Sequence, residues 1–358
     1  MSHPYKGLPD DRFWGKDPGI GDARLLDPLG PPPFTITPQQ RIVTAGSCFA
    51  QHVARRLSEA GFNHHVTERA HPVVPARVAL AHHYGVYSAR YGNIYTARQL
   101  CQLIDRAFDR FVPIEAAWTA VDGEGVVDPF RPRIQPGGFV SESELRFDRA
   151  RHLACVRDAL QTMDVFVFTL GLTEAWEDRR DGAIFPLAPG VAGGLYDPSQ
   201  VAFRNFDEVE SRDDLRAAIT RIRAVNPRVR VVLTVSPVPL NATFEDRHVL
   251  LSSTWSKSVL RVAAERATRD FADTVYFPSY EIVTAPHVRG RYFAADCREV
   301  TAEGVDHVMR LFLKHFAGIA SDTRVPPDSD DPSGPDSHLS RMRGLMDAIC
   351  DEEAIDNG

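Results

Sequence analysis

A chain of 358 residues that is 43% hydrophobic and 25% charged is long enough to bury a large core as one elaborated domain, without help from disulfides. Its formal net charge of -7 and pI near 6.0 exclude the diffuse basic surface that phosphate backbones require, so nucleic acid is not an expected partner. The five cysteines, Cys48, Cys101, Cys155, Cys297 and Cys350, are odd in number and lack paired spacing, which fits reduced thiols and a cytoplasmic location better than a disulfide framework or a zinc site.

Taken in chain order, the sequence starts with Met1-Ser2-His3-Pro4-Tyr5-Lys6 and runs into prolines and charges, so neither a secretory leader nor a membrane span is expected. Residues 1–40, with Pro31-Pro32-Pro33 near their end, read as an extended arm that Tyr5, Phe13 and Trp14 are placed to anchor. Arg41-Ile42-Val43-Thr44-Ala45 is a short apolar strand; after Gly46-Ser47, the spacing of Phe49, Val53 and Leu57 gives one apolar helical face. A second strand is expected over residues 62–66, a loop over 85–94 and a helix over 96–108. Residues 109–142 hold no lasting period and read as an insertion of the kind that shapes binding sites.

A helix over residues 145–163 then feeds Val165-Phe166-Val167-Phe168-Thr169-Leu170, whose lack of alternation suits a central parallel strand covered on both faces. The pattern repeats with a helix over 213–225 before a strand over 229–235, and a helix over 252–269 before Thr274-Val275-Tyr276-Phe277. Such alternation builds a three-layer, doubly wound parallel sheet, with Ala45, Leu170, Val235 and Phe277 ending adjacent strands. Val305, Val308, Met309, Phe312 and Phe316 mark the last core helix of a domain spanning 41–320. Residues 321–358 read as an Asp-, Pro- and Ser-rich flexible linker followed by a short helix over 339–349.

In open parallel sheets ligands bind beyond the carboxyl ends of the strands, which singles out Ser47, Thr173, Glu174, Ser236 and Asp296. Ser47 has two readings: a helix N-cap, or a nucleophile at a positive helix end whose N–H groups help stabilise an oxyanion. No Gly-x-Gly-x-x-Gly or P-loop spacing follows a strand, and no His-x-x-x-His or clustered carboxylates occur, so no nucleotide cofactor and no metal is expected.

Gly46-Ser47-Cys48-Phe49-Ala50 matches the motif that names the GSCFA family, which resembles a branch of the SGNH (GDSL-like) hydrolases. The blocks around Tyr91-Gly92-Asn93-Ile94, Thr169-Leu170-Gly171-Leu172-Thr173-Glu174, Thr234-Val235-Ser236-Pro237, Ser256-Lys257 and Tyr276-Phe277-Pro278-Ser279 extend the resemblance over roughly residues 1–317. It implies an SGNH-hydrolase/flavodoxin-like fold with Ser47 as nucleophile and the Ser47 N–H as one oxyanion donor. It further implies donors near Gly92 and Asn93, and Gly171-Leu172-Thr173-Glu174 standing where SGNH enzymes carry Gly-x-Asn-Asp, so that Thr173 replaces an amide donor. A hydroxyl donates one hydrogen bond with less rigid geometry than an amide. Thr173 and Glu174 could instead cap a helix after the strand.

The last block departs from that pattern. SGNH hydrolases end in Asp-x-x-His, but Asp296-Cys297-Arg298-Glu299 puts glutamate in the place of the base. A carboxylate with an ordinary pKa near ~4.3 is a poor base for a serine hydroxyl, although burial beside Asp296 would raise it. Pairing with Arg298 would instead keep Glu299 ionised. Of the thirteen histidines, His307 lies opposite the apolar face of its helix and should point to solvent, while His64, His65, His82, His83 and His248 lie on loops or near strands. Cys48 reads as a buried thiol in the helix's first turn.

Two functions follow from the resemblance. The first is a serine-dependent esterase or acyltransferase acting on a small-molecule or glycan acyl ester, such as an O-acyl group of a polysaccharide, with an acyl donor if it transfers. The second is an SGNH-like ligand-binding protein, catalytically impaired by loss of the base and serving polysaccharide biosynthesis or export.

Overall fold

In the computed structural model, residues 3–121, 123–319, 350–352 and 355 are described. The linker over 321–337 and the helix over 339–349 lie outside the described residues. Elements in chain order are β1 (Ile42–Gly46), α1 (Phe49–Glu59), α2 (Ala76–Ala81), α3 (Ala97–Ala107), β2 (Trp118–Thr119), β3 (Val126–Val127), α4 (Glu142–Thr162) and β4 (Val165–Leu170). They continue with β5 (Glu174–Asp178), β6 (Ile184–Phe185), β7 (Val201–Asn205), α5 (Glu208–Val225), β8 (Arg230–Val235), α6 (Val249–Asp270), β9 (Thr274–Tyr276), α7 (Ser279–Thr284) and α8 (Ala302–Ala317). No helix among the described residues is long and apolar enough to cross a membrane.

The central sheet is parallel throughout, in the order β1-β4-β8-β9. Its strands are apolar on both sides because both sides are covered. Val43, Ala45, Phe166, Phe168, Leu170, Val231 and Leu233 face a core completed by α3, α4, α5 and α6. Ile42, Val165, Val167 and Val232 alternate onto the opposite face, against α1, α7 and α8. This is the doubly wound α/β arrangement expected from the alternating pattern. α3 starts in a capping box, with the Thr96 hydroxyl accepting from the Gln99 N–H and the Gln99 side chain accepting from the Thr96 N–H.

Several expectations need correction. Residues 62–66 form no strand: a single parallel bridge, Ile42 to His64, lies beside β1. Residues after Gly171 do not cap a helix but enter β5, the middle strand of an antiparallel sheet ordered β6-β5-β7. The insertion carries a short antiparallel pair, β2 with β3. The arm is held by Ala23, Leu26, Phe34 and Ile36, all buried against α8 and its neighbours, whereas Tyr5 and Trp14 are exposed. His307 does not face solvent: it is buried, bonded to the Tyr292 hydroxyl at 2.7 Å and to the Leu26 carbonyl at 2.9 Å. The arm covers the face of α8 that the helix alone would leave wet.

At the end of β1 the backbone passes directly against β4. Gly46 has φ of 135° and pairs with Thr169, and a Cβ there would lie 2.2 Å from the Thr169 carbonyl oxygen. Only glycine fits this backbone at this approach. Gly46→Ala should therefore lower unfolding free energy by about 3 kcal/mol or more. Gly15→Ala, with no atom within 4 Å of the added carbon, should stay within about 0.5 kcal/mol. Urea denaturation of the two variants makes the comparison, and equal midpoints would overturn the reading of this turn.

Candidate active site at the end of the first strand

Ser47 follows Gly46 and precedes α1, so the strand end and the positive helix end meet at its side chain. Its N–H donates to the Thr169 carbonyl at 3.1 Å and its carbonyl accepts from Ala50 at 2.9 Å. The Oγ is buried and has no hydrogen-bond partner among the described residues. Ser47 is therefore not the N-cap: that position belongs to Cys48, which makes no side-chain capping bond. A buried hydroxyl without a partner is rare in folded proteins and marks a place arranged for something else. The main-chain N–H, however, is engaged by β4 and is not turned toward an incoming oxyanion.

The hydroxyl faces a cavity of about 10 Å³ lined by Cys48, Tyr95, Gly171, Leu172, Ser236, Val238, Leu240, Lys257 and Glu352. That volume holds roughly one water molecule. Of the residues singled out by sequence, Ser47, Gly171 and Ser236 come together here. Gly171 packs so closely that a Cβ on it would lie 3.0 Å from the Ser47 Cβ. Ser236 closes the far wall, with its Oγ accepting from Val238 at 3.3 Å.

Other expected residues are placed elsewhere. Gly92, in left-handed conformation, borders a neighbouring cleft with His83, Tyr87, Asn93 and Arg131. The Asn93 amide donates to the Asp351 carboxylate at 2.9 Å and its carbonyl accepts from Gln51 at 3.1 Å. The Thr173 hydroxyl donates to Asn205 at 2.7 Å, and its N–H to the Ser256 hydroxyl at 3.0 Å, so Thr173 is not an oxyanion donor in this arrangement. Glu174 accepts from the Thr243 hydroxyl at 2.6 Å and the Phe244 N–H at 3.2 Å, and burial raises its pKa. Asp296 turns back on its own loop, accepting from the N–H groups of Arg298 and Glu299 at 3.0 and 3.1 Å. Glu299 is exposed and is not among the described residues that line the cavity. Arg298 does not pair with it; its guanidinium turns inward, 3.3 Å from the Cys350 sulfur and 3.5 Å from a Glu352 carboxylate oxygen.

Two residues not singled out as catalytic candidates fill the site. Lys257, on α6, is buried and donates to the Gly171 carbonyl at 2.6 Å. Burial drives its pKa down to about 8, against the pull of Glu352 and the two thiols Cys48 and Cys350. Its sequence signal was present: Ser253, Lys257, Leu260, Ala264 and Ala267 fall at helical spacing on the buried stripe of α6, where a lysine is costly unless used. Glu352 comes from the C-terminal segment. Burial pushes its carboxyl up to about 7 despite Arg298 and Lys257. Nothing in the sequence around Glu352 marks it as a neighbour of Ser47.

Segment 350–352 is held by contacts from several elements. The Arg133 guanidinium donates to the Cys350 carbonyl at 3.1 Å, Asp351 donates its N–H to the Tyr95 hydroxyl at 3.0 Å, and Asn241 donates to the Glu352 carbonyl at 3.2 Å. The Cys350 and Cys48 sulfurs lie 3.3 Å apart.

A sequence model of the GSCFA family matches residues 41–312, so the chain belongs to the GSCFA family. No curated protein matches it. The matched span includes Ser47, Gly171, Ser236 and Lys257 and ends before Glu352.

The raised pKa of Glu352 fixes a sign. A carboxyl protonated more readily in the folded than the unfolded chain stabilises fully below its unfolded value near ~4.3, and that contribution is lost as pH rises through about 7. Glu352→Gln mimics the neutral acid at every pH. The melting temperature of the wild type relative to Glu352→Gln should therefore fall between pH 4.5 and 7.5; a constant difference across that range would contradict the buried, protonated placement.

Proposed function

We propose that this GSCFA-family protein is a serine-dependent esterase or acyltransferase of the SGNH kind, in which Ser47 is the nucleophile and Lys257 takes the place of the missing histidine base. The observation that carries this reading is the buried, unpartnered Ser47 Oγ in one cavity with a buried lysine whose pKa falls to about 8. A lysine desolvated this far is in part neutral near pH 7–8, which is the range a general base needs. Its Nζ can keep one N–H on the Gly171 carbonyl while the lone pair accepts the Ser47 proton. Oγ then attacks the ester carbonyl, and the protonated amine returns its proton to the leaving alkoxide, giving an acyl-serine. Water completes hydrolysis, or an acceptor hydroxyl completes transfer, by the same two proton movements in reverse.

For the developing oxyanion, the positive end of α1 beside Ser47 is the available field. Asp296 and Glu299 have no part in this scheme, since both are exposed. O-acyl groups of a carbohydrate remain the substrate class that the SGNH likeness suggests, by analogy of fold alone. A second reading, a pocket that binds without turnover, is favoured by one observation: the Ser47 N–H is given to Thr169 instead of an oxyanion.

A fluorophosphonate probe and a cleavable ester separate the two. Ser47→Ala should abolish both labelling and turnover without lowering the melting temperature. Lys257→Met, close in shape and unable to ionise, should slow labelling by about a hundredfold or more, the usual size of a lost general base. In the wild type the rate should rise with pH through about 8, as Lys257 loses its proton, and Lys257→Met should lose that rise. Undiminished labelling in Lys257→Met would remove the lysine from the mechanism, and turnover by Ser47→Ala would remove the serine.

A further inference from the structure

The cavity beside Ser47 has no room for an ester while Glu352 forms part of its wall. At about 10 Å³ it admits roughly a water molecule, whereas sites for small ligands span about 300–1,000 Å³. The group that closes it is a piece of the chain's own C-terminal segment, beyond the end of the family match at residue 312. The contacts of that segment are mainly polar: Arg133, Tyr95, Asn93, Asn241 and Arg298 each hold it by a hydrogen bond or ion pair. Water can replace such bonds, and within residues 350–352 the one buried apolar side chain is that of Cys350.

The second feature lies inside that contact. Cys350 meets Cys48, the residue next to Ser47, with both thiols buried and their sulfurs 3.3 Å apart. Neither is in a disulfide. We propose, resting on the reading of Ser47 as nucleophile, that residues 350–352 are an autoinhibitory plug over the active site and that Cys48 and Cys350 are the redox modification site that locks it.

The chemistry is thiol–disulfide exchange with a low-molecular-weight disulfide such as oxidised glutathione. With the plug withdrawn, the Cys350 thiolate attacks one sulfur of the small disulfide, forming a mixed disulfide and releasing one small thiolate, which takes up the proton that Cys350 lost. On return of the plug, Cys48 loses its proton to solvent or base and attacks the Cys350 sulfur, forming the Cys48–Cys350 bond and expelling the second small thiol. The protein dithiol is oxidised by two electrons, and the small disulfide is reduced to two thiols. Cys350 suits the attacking role. On the withdrawn segment it meets the small disulfide in solvent, whereas Cys48 stays in the wall of the site, where in the closed form the contact with Cys350 and burial push its thiol well up.

The test uses the full-length chain, first reduced and then exposed to oxidised glutathione. Peptide mapping without reductant should find a Cys48–Cys350 link in the wild type and none in Cys350→Ser, with exposed Cys297 as the reference thiol. Fluorophosphonate labelling of Ser47 should fall in proportion to the linked fraction and recover with dithiothreitol. Independently of Ser47 chemistry, the double variant Asp351→Lys/Glu352→Lys should release the plug. Alkylation of Cys48 by N-ethylmaleimide should then quicken about tenfold or more, the order expected for losing one charged hydrogen bond. Mixed disulfides on Cys297 without any Cys48–Cys350 link would overturn the lock. Equal alkylation of Cys48 in wild type and double variant would overturn the plug. If link and protection both appear while no variant labels at Ser47, the plug and lock stand, and it is the serine-ester reading that fails.

Discussion

The approach of Gly46 to the carbonyl of Thr169 governs the geometry of the whole site. Because the Gly46 backbone lies against β4 with no space for a side chain, Ser47 is presented at the rim of the sheet and its N–H is tied to Thr169. The Gly46 carbonyl accepts from Ile94 at 2.7 Å, and the Tyr95 carbonyl accepts from Gly171 at 3.0 Å. One turn thus fastens the end of β1, the end of β4 and the 92–95 loop together. Gly171, set against the Ser47 side chain by the same packing, supplies the carbonyl that orients Lys257. The distance between strand and helix in sequence is two residues, yet the turn between them positions groups from four separate parts of the chain.

The loop that completes this arrangement is held by buried charge. Arg90 is fully buried, with its guanidinium on the His82 carbonyl at 2.8 Å, Asp148 at 2.9 Å and the Ile134 carbonyl at 3.1 Å, while its N–H goes to Glu68 at 2.7 Å. Arg131 bridges Asp128 and Asp148, and His152 meets Glu68 at 2.7 Å. The neighbouring arginines hold the Asp128 carboxyl far below the usual range against its burial. Such a network adds little net stability over an apolar core, but removing one member strands the others and costs about 3–5 kcal/mol. Its effect is directional: the insertion and α4 are fixed relative to residues 90–93, which places Asn93 where it meets Asp351.

How much of this was legible follows from which forces are local. The parallel strands were readable because a strand covered on both faces must be apolar at every position, as 165–170 is. The α3 start was readable from Thr96 and the periodic residues after it. The strand expected over 62–66 failed because it pairs through a single bridge at the sheet edge, where composition does not decide pairing. His307 failed because helical spacing shows which face meets the domain's own core, but not that an arm near 280 residues away in sequence covers the other face. The strand-to-helix turn that carries Ser47 was legible from the apolar run and the periodic residues that flank it, whereas the orientation of the 296–299 loop was not, because spacing after Asp296 says nothing of which side chain turns inward; Arg298 does. Lys257 was visible as a charge on a buried stripe. Glu352 was not, since two residues that line one cavity from such distant parts of the chain leave no trace in either neighbourhood.

The electrostatics of the cavity connect its closed and working forms. In the closed form Lys257 is subject to opposed effects: burial lowers its proton affinity, while Glu352 and the two thiols raise it. Withdrawal of the C-terminal segment removes the carboxylate and one of those thiols, but it also admits water, which restores proton affinity by relieving burial. An uncharged ester entering the same space excludes the water again without returning the carboxylate. Lys257 is then buried beside Arg298, with Cys48 the raising influence that stays behind, and its neutral form is more favoured at the moment a proton must leave Ser47. The closed form, by contrast, keeps a proton on Lys257 or Glu352 through the neutral range. The carboxylate that fills the site thus also raises the proton affinity of Lys257, so closure acts on both the space and the chemistry of Ser47.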